Sequence, residues 1–155
     1  MIYGYQRPLF NDEDMQIQSN TLVNCDHVFT ELHGRAKKRV ALEELLMTVQ
    51  KGDTIQVLRF FSIADTTRHL DELLKICKRD RVTIHFMEEN ITSTQILEKS
   101  LEQVLQLFLT FQSDIVKQST TLGMAEAKAK GNSIGRPKKS DDHIKKAIEM
   151  YQSGK

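Results

Sequence analysis

Basic side chains gather in the last quarter of this 155-residue sequence, where they could bind a polyanion. Residues 117–155 hold nine Lys or Arg against four Asp or Glu, a net charge of +5. Residues 1–116 hold 13 bases against 17 acids, a net charge of −4. A near-neutral or acidic body with a basic end is typical of a protein whose far end meets a polyanion. The residues predicted to contact phosphates are Lys128, Lys130, Arg136, Lys138 and Lys139.

Two of these lysines also allow a plainer interpretation. Lys128 and Lys130 lie two positions apart, so on a helix they do not share a face and could simply form a solvated helix end. We favour phosphate contact because Arg136, Lys138 and Lys139 follow at once, and each neutralised phosphate adds to affinity for DNA.

Other residue types that could carry chemistry lack the spacing that such chemistry requires. The five histidines show no metal-ligand spacing among themselves, so the sequence predicts no metal site. Glu88 and Glu89 are adjacent at a predicted strand end, where their side chains point apart, and a solvated turn is the expected interpretation. We therefore expect no metal, no cofactor and no small-molecule substrate.

A long segment from Ser93 to Lys130 leads to the basic end, with no proline and a single glycine. Its apolar residues recur at alternating spacings of four and three, which places them on one stripe of a helix. The members of this predicted seam are Leu97, Leu101, Val104, Phe108, Phe111 and Ile115. A second apolar face comprises Leu105, Leu107, Leu109 and Val116. Together they exceed what a helix on one globular body can bury, which predicts a dimerisation helix. The alternative is an amphipathic core helix of a monomer.

Upstream of this helix, short strand patterns alternate with helical patterns. Strands are predicted over 1–6, 27–30, 53–61 and 82–87, and helices over 11–25, 39–50 and 66–79, the middle one ended by a glycine at position 52. Such alternation predicts an α/β fold with a mostly parallel sheet of about four strands flanked by helices.

The chain changes character after residue 130. Residues 131–139 form a glycine-bounded basic linker, and a short helix with an N-cap at Ser140 follows, its apolar positions running from Ile144 to Tyr151. One short helix cannot bury its own face, so either a second small domain is incomplete or this helix docks elsewhere. We divide the chain into 1–92, 93–130 and 131–155. No stretch is apolar enough to span a membrane or act as a signal peptide, so we expect a cytoplasmic protein without membrane contact.

Several short motifs, taken in order along the chain, resemble a known family. They are Gly4-Tyr5-Gln6-Arg7 at the end of the first strand, Gln18, Arg39, Gly52-Asp53, and the long helix running through Ala127-Lys128-Ala129-Lys130-Gly131 to Gly135-Arg136-Pro137. This order is similar to that of serine recombinases of the resolvase/invertase family. The resemblance implies a parallel-sheet catalytic domain, a long helix that dimerises and lies over DNA, and a C-terminal helix-turn-helix domain. In that family a serine attacks a DNA phosphate that several arginines surround.

The departures from the family pattern fall on the chemistry. The position of the nucleophilic serine holds Leu9, and the two arginines expected in the second signature are replaced by Ser62 and Asp65. Further along, Gln112-Ser113 and Ser119 stand where the family has charged residues. Only Arg7 and Arg39 remain of the charged site, either as a residual phosphate site or as ion-paired residues kept by the fold.

The resemblance and its departures together predict a recombinase-like protein that binds double-stranded DNA as a homodimer but does not cut it. An alternative is an active recombinase with a relocated nucleophile such as Ser62, although no residue is placed by sequence to activate it. Another is a dimeric interaction module that modulates an active recombinase in a hetero-oligomer or higher oligomer, without binding DNA itself.

Overall fold

The computed structural model describes residues 1–129, which contain one five-stranded sheet and five helices. The strands are β1 (Ile2–Gln6), β2 (His27–Thr30), β3 (Thr54–Val57), β4 (Thr83–Phe86) and β5 (Ile91–Thr92). Their order is β2-β1-β3-β4-β5, with β1 to β4 parallel and β5 antiparallel to β4. The predicted α/β class is confirmed, and the short β5 is a strand that the sequence analysis missed.

The helices are α1 (Gln16–Thr21), α2 (Val40–Thr48), α3 (Phe60–Ile63), α4 (Thr67–Asp80) and α5 (Leu101–Ala129). Alternate side chains of the central strands, including Tyr5, Ile55 and Ile84, are fully buried in one cluster with residues of α2, α3 and α4. This period-two burial is what packing helices on one face of a sheet requires. None of the helices in residues 1–129 is long and apolar enough to cross a membrane.

The chain divides into two compact units: the first spans Met1–Leu122, and the second begins at Gly123. The first unit therefore includes most of α5 as well as the sheet. The boundaries predicted at residues 92 and 130 separate segments by function, which this division into compact units does not test, and they stay predictions.

The third strand is shorter than predicted, because Phe60 and Phe61 belong to α3. Two hydrogen bonds turn the chain at this point, one to the distant Glu89 and one to the nearby Ser62. The Phe60 amide donates to Glu89 Oε2 at 2.8 Å, and the Arg59 amide donates to Ser62 Oγ at 3.1 Å. These partners satisfy N–H groups at the start of the helix, which lets a helix follow the strand after two residues.

The predicted ends of α1 and α2 are also corrected, and α1 ends at Thr21 rather than at residue 25. Helix α1 begins at Gln16 rather than at residue 11, because the Asp12 carboxylate accepts hydrogen bonds at 3.0 Å from the amides of Ile17 and Gln18. Helix α2 ends at Thr48, ahead of Gly52, which lies in the next turn with φ of +92°.

Helix α5 begins at Leu101, eight residues later than predicted. Ser93 belongs to the sheet edge, where its hydroxyl accepts a hydrogen bond from the Ile84 amide at 2.9 Å. The helix starts at a reciprocal cap: the Gln103 amide donates to Ser100 Oγ at 3.2 Å, and the Ser100 amide donates to Gln103 Oε1 at 3.1 Å. Leu97 therefore precedes the helix and is not a member of its seam.

Candidate functional site

The two arginines retained from the family pattern come together at the carboxyl edge of the parallel strands. Arg7 follows β1 and is 1% exposed. Its guanidinium donates to Asp65 Oδ1 at 2.6 Å, to the Phe61 carbonyl at 2.6 Å and to the Gly34 carbonyl at 3.3 Å. Burial, together with the nearby Arg39, lowers the pKa of Arg7, and the contact with Asp65 opposes that shift.

Arg39 approaches the same carboxylate from the start of α2 and is 4% exposed. Its Nη1 lies 2.8 Å from Asp65 Oδ2, and its Nε and Nη2 donate to the Tyr5 hydroxyl at 3.0 and 2.8 Å. Burial raises the pKa of Tyr5 to about 12, although the neighbouring Arg39 acts against this shift. Tyr5 therefore stays neutral and accepts from the guanidinium.

Asp65 is the acid on which both guanidinium groups converge. Burial by itself would raise the pKa of Asp65, but its polar and charged neighbours, His69 and the two arginines, hold that pKa well below its usual range. The arginines are the donors to the carboxylate, because His69 Nδ1, although 3.5 Å from Asp65 Oδ2, accepts from the Asp65 amide at 3.2 Å and cannot donate at the same time. Asp65 is thus a carboxylate at neutral pH, clamped between two cations.

This arrangement leaves the retained arginines occupied within the protein. A carboxylate and a phosphate use the same guanidinium donors, so an anionic ligand would have to displace Asp65. Of the two interpretations that the sequence allowed for Arg7 and Arg39, the geometry matches the ion-paired one. Arg7 Nε is buried without a hydrogen-bond partner among the described residues.

The two positions considered for a nucleophilic hydroxyl are both buried. Leu9, at the position of the family's serine, is 2% exposed in the hydrophobic core and pairs with Asp12 through backbone hydrogen bonds of 3.3 and 3.0 Å. Ser62 is fully buried, and its hydroxyl is engaged with the Arg59 amide. Neither the original position nor the alternative one presents a reactive oxygen to solvent.

Gln118 of α5 covers the carboxyl edge of the parallel strands and was not among the predicted site residues. The side chain is buried; its Oε1 accepts from the Phe10 amide at 2.7 Å, and its Nε2 donates to the carbonyls of Pro8 and Gly34 at 3.0 and 3.2 Å. Gly34 is required there, since a Cβ would lie 2.2 Å from the Pro8 carbonyl oxygen. The sequence feature that could have identified Gln118 is a polar residue on the core-facing stripe of a long helix.

The predicted seam of α5 divides between two faces of the helix. Phe111 is 2% exposed and packs against Phe60 of α3, with ring centroids 5.8 Å apart, while Ile115 also contacts the core. Phe111 is thus part of the chain's own core. The outer apolar face, as we call it, comprises exposed residues beside this contact: Leu101, Leu105, Phe108, Leu109 and Val116. Phe108 borders the core, because its ring also stacks on that of Phe60 with centroids 6.4 Å apart. Val104 is partly buried between the two faces.

Only one of the predicted DNA-contacting residues lies within the part of the chain that the structure describes. Lys128 is exposed in the last turn of α5. Lys130, Arg136, Lys138 and Lys139 lie outside the described residues, as does the predicted helix after Ser140. Within residues 1–129, no group of three or more His, Cys, Asp and Glu is placed to hold a metal ion.

Comparison with known proteins gives concordant matches over nearly the whole chain. The family described as "Resolvase, N terminal domain" matches residues 3–133. Similar proteins include the transposon Tn917 resolvase of Enterococcus faecalis, 28% identical over 99% of this chain and 85% of the relative. The DNA-invertase hin of Salmonella typhimurium is 25% identical over 94% of this chain and 78% of the relative.

Among solved structures, the N-terminal catalytic domain of TP901-1 integrase is similar in fold. The two chains align with a TM-score of 0.51 and 14% identity, covering 76% of this chain and 96% of the other.

Proposed function

This chain belongs to the resolvase family of serine recombinases, and from that premise we propose that it binds double-stranded DNA as a homodimer without cutting it. The relatives' names describe resolution and inversion of DNA, which is the source of the DNA-binding part of the proposal. The proposal that the chain does not cut DNA rests on the residues of its own site around Asp65.

The observation that carries the proposal is Asp65, an acid bound to both retained arginines. Phosphoryl transfer without a metal needs a nucleophile and cations free to stabilise charge on the phosphate oxygens. Here a leucine occupies the nucleophile's position, and the guanidinium groups of Arg7 and Arg39 are both engaged by one internal carboxylate. The buried Ser62 hydroxyl argues against the alternative of a relocated nucleophile.

The dimer part of the proposal rests on the outer apolar face of α5. Five exposed apolar side chains within four turns form a surface suited to burial against a second helix. The predicted partner is a second copy of this chain, with an active recombinase subunit as the alternative partner.

Phe108→Glu is expected to convert a dimer into a monomer, because it places a charge in the middle of the outer apolar face. Sedimentation equilibrium at tens of micromolar would measure this, a range in which a dimer of micromolar affinity is well populated. Met47→Glu is the matched control, since Met47 is an 86% exposed apolar residue on α2. A monomeric unmutated protein would contradict the dimer.

DNA binding is assigned to the basic end of the chain, residues 128–139. Its five cations could neutralise up to about five phosphates per subunit, which predicts a log–log salt slope on the order of −4 to −5. Arg136, between Gly135 and Pro137, is proposed to enter the minor groove and favour A·T-rich duplexes. The helix predicted after Ser140 is proposed to belong to a helix-turn-helix that contributes to DNA binding beyond this linker.

Fluorescence anisotropy on A·T-rich and G·C-rich duplexes across a salt series tests this assignment. Arg136→Ala should lose the A·T preference and make the salt slope shallower by about one. Lys75→Ala is the control, because Lys75 is 74% exposed on α4 and pairs with Asp71. Tight binding that is indifferent to salt, or an unchanged A·T preference in Arg136→Ala, would contradict the proposal and favour the protein-interaction alternative.

A further inference from the structure

A cleft of about 250 Å³ lies between the middle of α5 and the body of the sheet domain. The rings of Phe60, Phe61 and Phe111 form its apolar walls, and Leu107 completes them from α5. Its charged residues come from three elements: Arg59 precedes α3, Glu88 and Glu89 lie between β4 and β5, and Asp114 is on α5.

Arg59 joins these elements across the cleft. Its Nε lies 3.1 Å from Glu88 Oε2, and its Nη2 lies 3.0 Å from Asp114 Oδ2. The same guanidinium lies over the Phe61 ring, 5.4 Å from its centroid. One cation therefore holds a carboxylate of the helix and a carboxylate of the body together.

Glu89 is the third carboxylate of the cleft, and it is only half satisfied. Its Oε2 accepts the Phe60 amide, whereas its Oε1 is buried and has no hydrogen-bond partner among the described residues. Burying an oxygen without a hydrogen-bond partner costs less free energy in a neutral carboxyl than in a carboxylate, because a buried carboxylate also loses the hydration of its charge. Burial accordingly raises the pKa of Glu89 from its ordinary value of 4.5 to about 7, and nearby Glu88 adds to the shift.

We propose that Glu89 is a proton-dependent latch for the long helix, holding α5 against the domain when neutral and weakening that docking when ionised. The groups that face it are Arg59, Glu88 and Asp114, with Lys117 beyond Asp114 on the helix. When Glu89 is ionised, the cleft contains three carboxylates, and the guanidinium of Arg59 already pairs with the other two, Glu88 and Asp114. Movement of α5 away from the body would admit water to the unpartnered oxygen and relieve this cost.

The direction of the effect follows from linkage. With α5 docked, burial raises the pKa of Glu89 to about 7; undocking that hydrates the side chain returns its pKa towards the ordinary value of 4.5. Docking is therefore strongest where Glu89 is neutral, and it weakens as the pH rises towards 7. Between pH 5 and pH 8, the docking equilibrium should change by up to about 70-fold, the factor reached when undocking restores the ordinary pKa in full.

Amide hydrogen exchange resolves this equilibrium by segment. After correction for intrinsic exchange rates, the protection of residues 107–118 should fall between pH 5 and pH 8 by this factor. The amides of the central strands, such as those of Ile55 and Ile84, should change less, because they report on global unfolding. Glu89→Gln should remove the pH dependence of the helix, and Glu102→Gln, at an exposed carboxylate of the same helix, should retain it.

Three results would overturn the latch. The first is helix protection in the unmutated protein that does not change with pH, or that changes in step with the central strands. The second is a Glu89→Gln variant with the pH dependence of the unmutated protein. The third, which needs no variant, is an NMR titration of the Glu89 side-chain carbon in the intact chain with a midpoint below about pH 5.5, close to that of an exposed glutamate.

Discussion

Replacing Asp65 by asparagine is expected to lower the free energy of unfolding by about 3 kcal/mol or more, the usual result of removing one partner from a buried ion pair. The variant keeps the shape of the side chain but leaves the guanidinium groups of Arg7 and Arg39 facing each other without a counter-ion. Both are almost fully buried, so water cannot compensate. Since whole domains are stable by only about 5–15 kcal/mol, the loss should be obvious in a urea titration at neutral pH.

The matched control for this variant is Asp71→Asn. Asp71 also pairs with a cation, Lys75 at 2.8 Å, but its side chain is 57% exposed. A surface pair of this kind contributes almost nothing measurable to the free energy of unfolding, because both charges remain hydrated. A loss below about 1 kcal/mol for Asp65→Asn would mean that the arginines find solvent or another partner, and that the site is less closed than its geometry indicates.

Leu9→Ser is expected to restore no DNA cleavage and to lower the free energy of unfolding by about 2–4 kcal/mol. The stability loss follows from removing a buried side chain of the core and placing a hydroxyl there. The absence of cleavage follows from Asp65, which would still occupy the guanidinium donors of both arginines. The measurements are a denaturant titration and a search for a covalent protein–DNA adduct on supercoiled recombination substrates.

Leu32→Ser provides the control for stability, because Leu32 is 98% exposed and the same substitution should there cost almost nothing. A covalent adduct formed by Leu9→Ser would show that the arginines can be released to a phosphate. An adduct formed by the unmutated protein would overturn the proposal of a non-cutting recombinase altogether.

The sequence by itself determined the features that depend on local patterns. Strand patterns alternating with helical patterns predicted the parallel sheet, and the helix predicted over 66–79 is α4, which begins where Thr66 Oγ1 accepts from the His69 amide at 2.9 Å. The order of short motifs indicated the family. Each of these signals lies within a few residues of the structure that it predicts, so no knowledge of distant contacts was needed.

Only the tertiary structure decided how distant residues satisfy one another. Asp65 was identified as an acid in an arginine's place, but its pairing with Arg7, 58 residues away, depends on how α3 and β1 meet at one edge of the sheet. The same holds for Gln118, whose partners at Pro8 and Phe10 are more than 100 residues distant. Periodicity also could not tell which residues of the predicted seam of α5 are buried, because Phe108 and Phe111 both fit its helical spacing. The chain's own core buries Phe111, whereas Phe108, whose ring lies 6.4 Å from that of Phe60, stays 39% exposed, since a folded domain covers only one side of a helix.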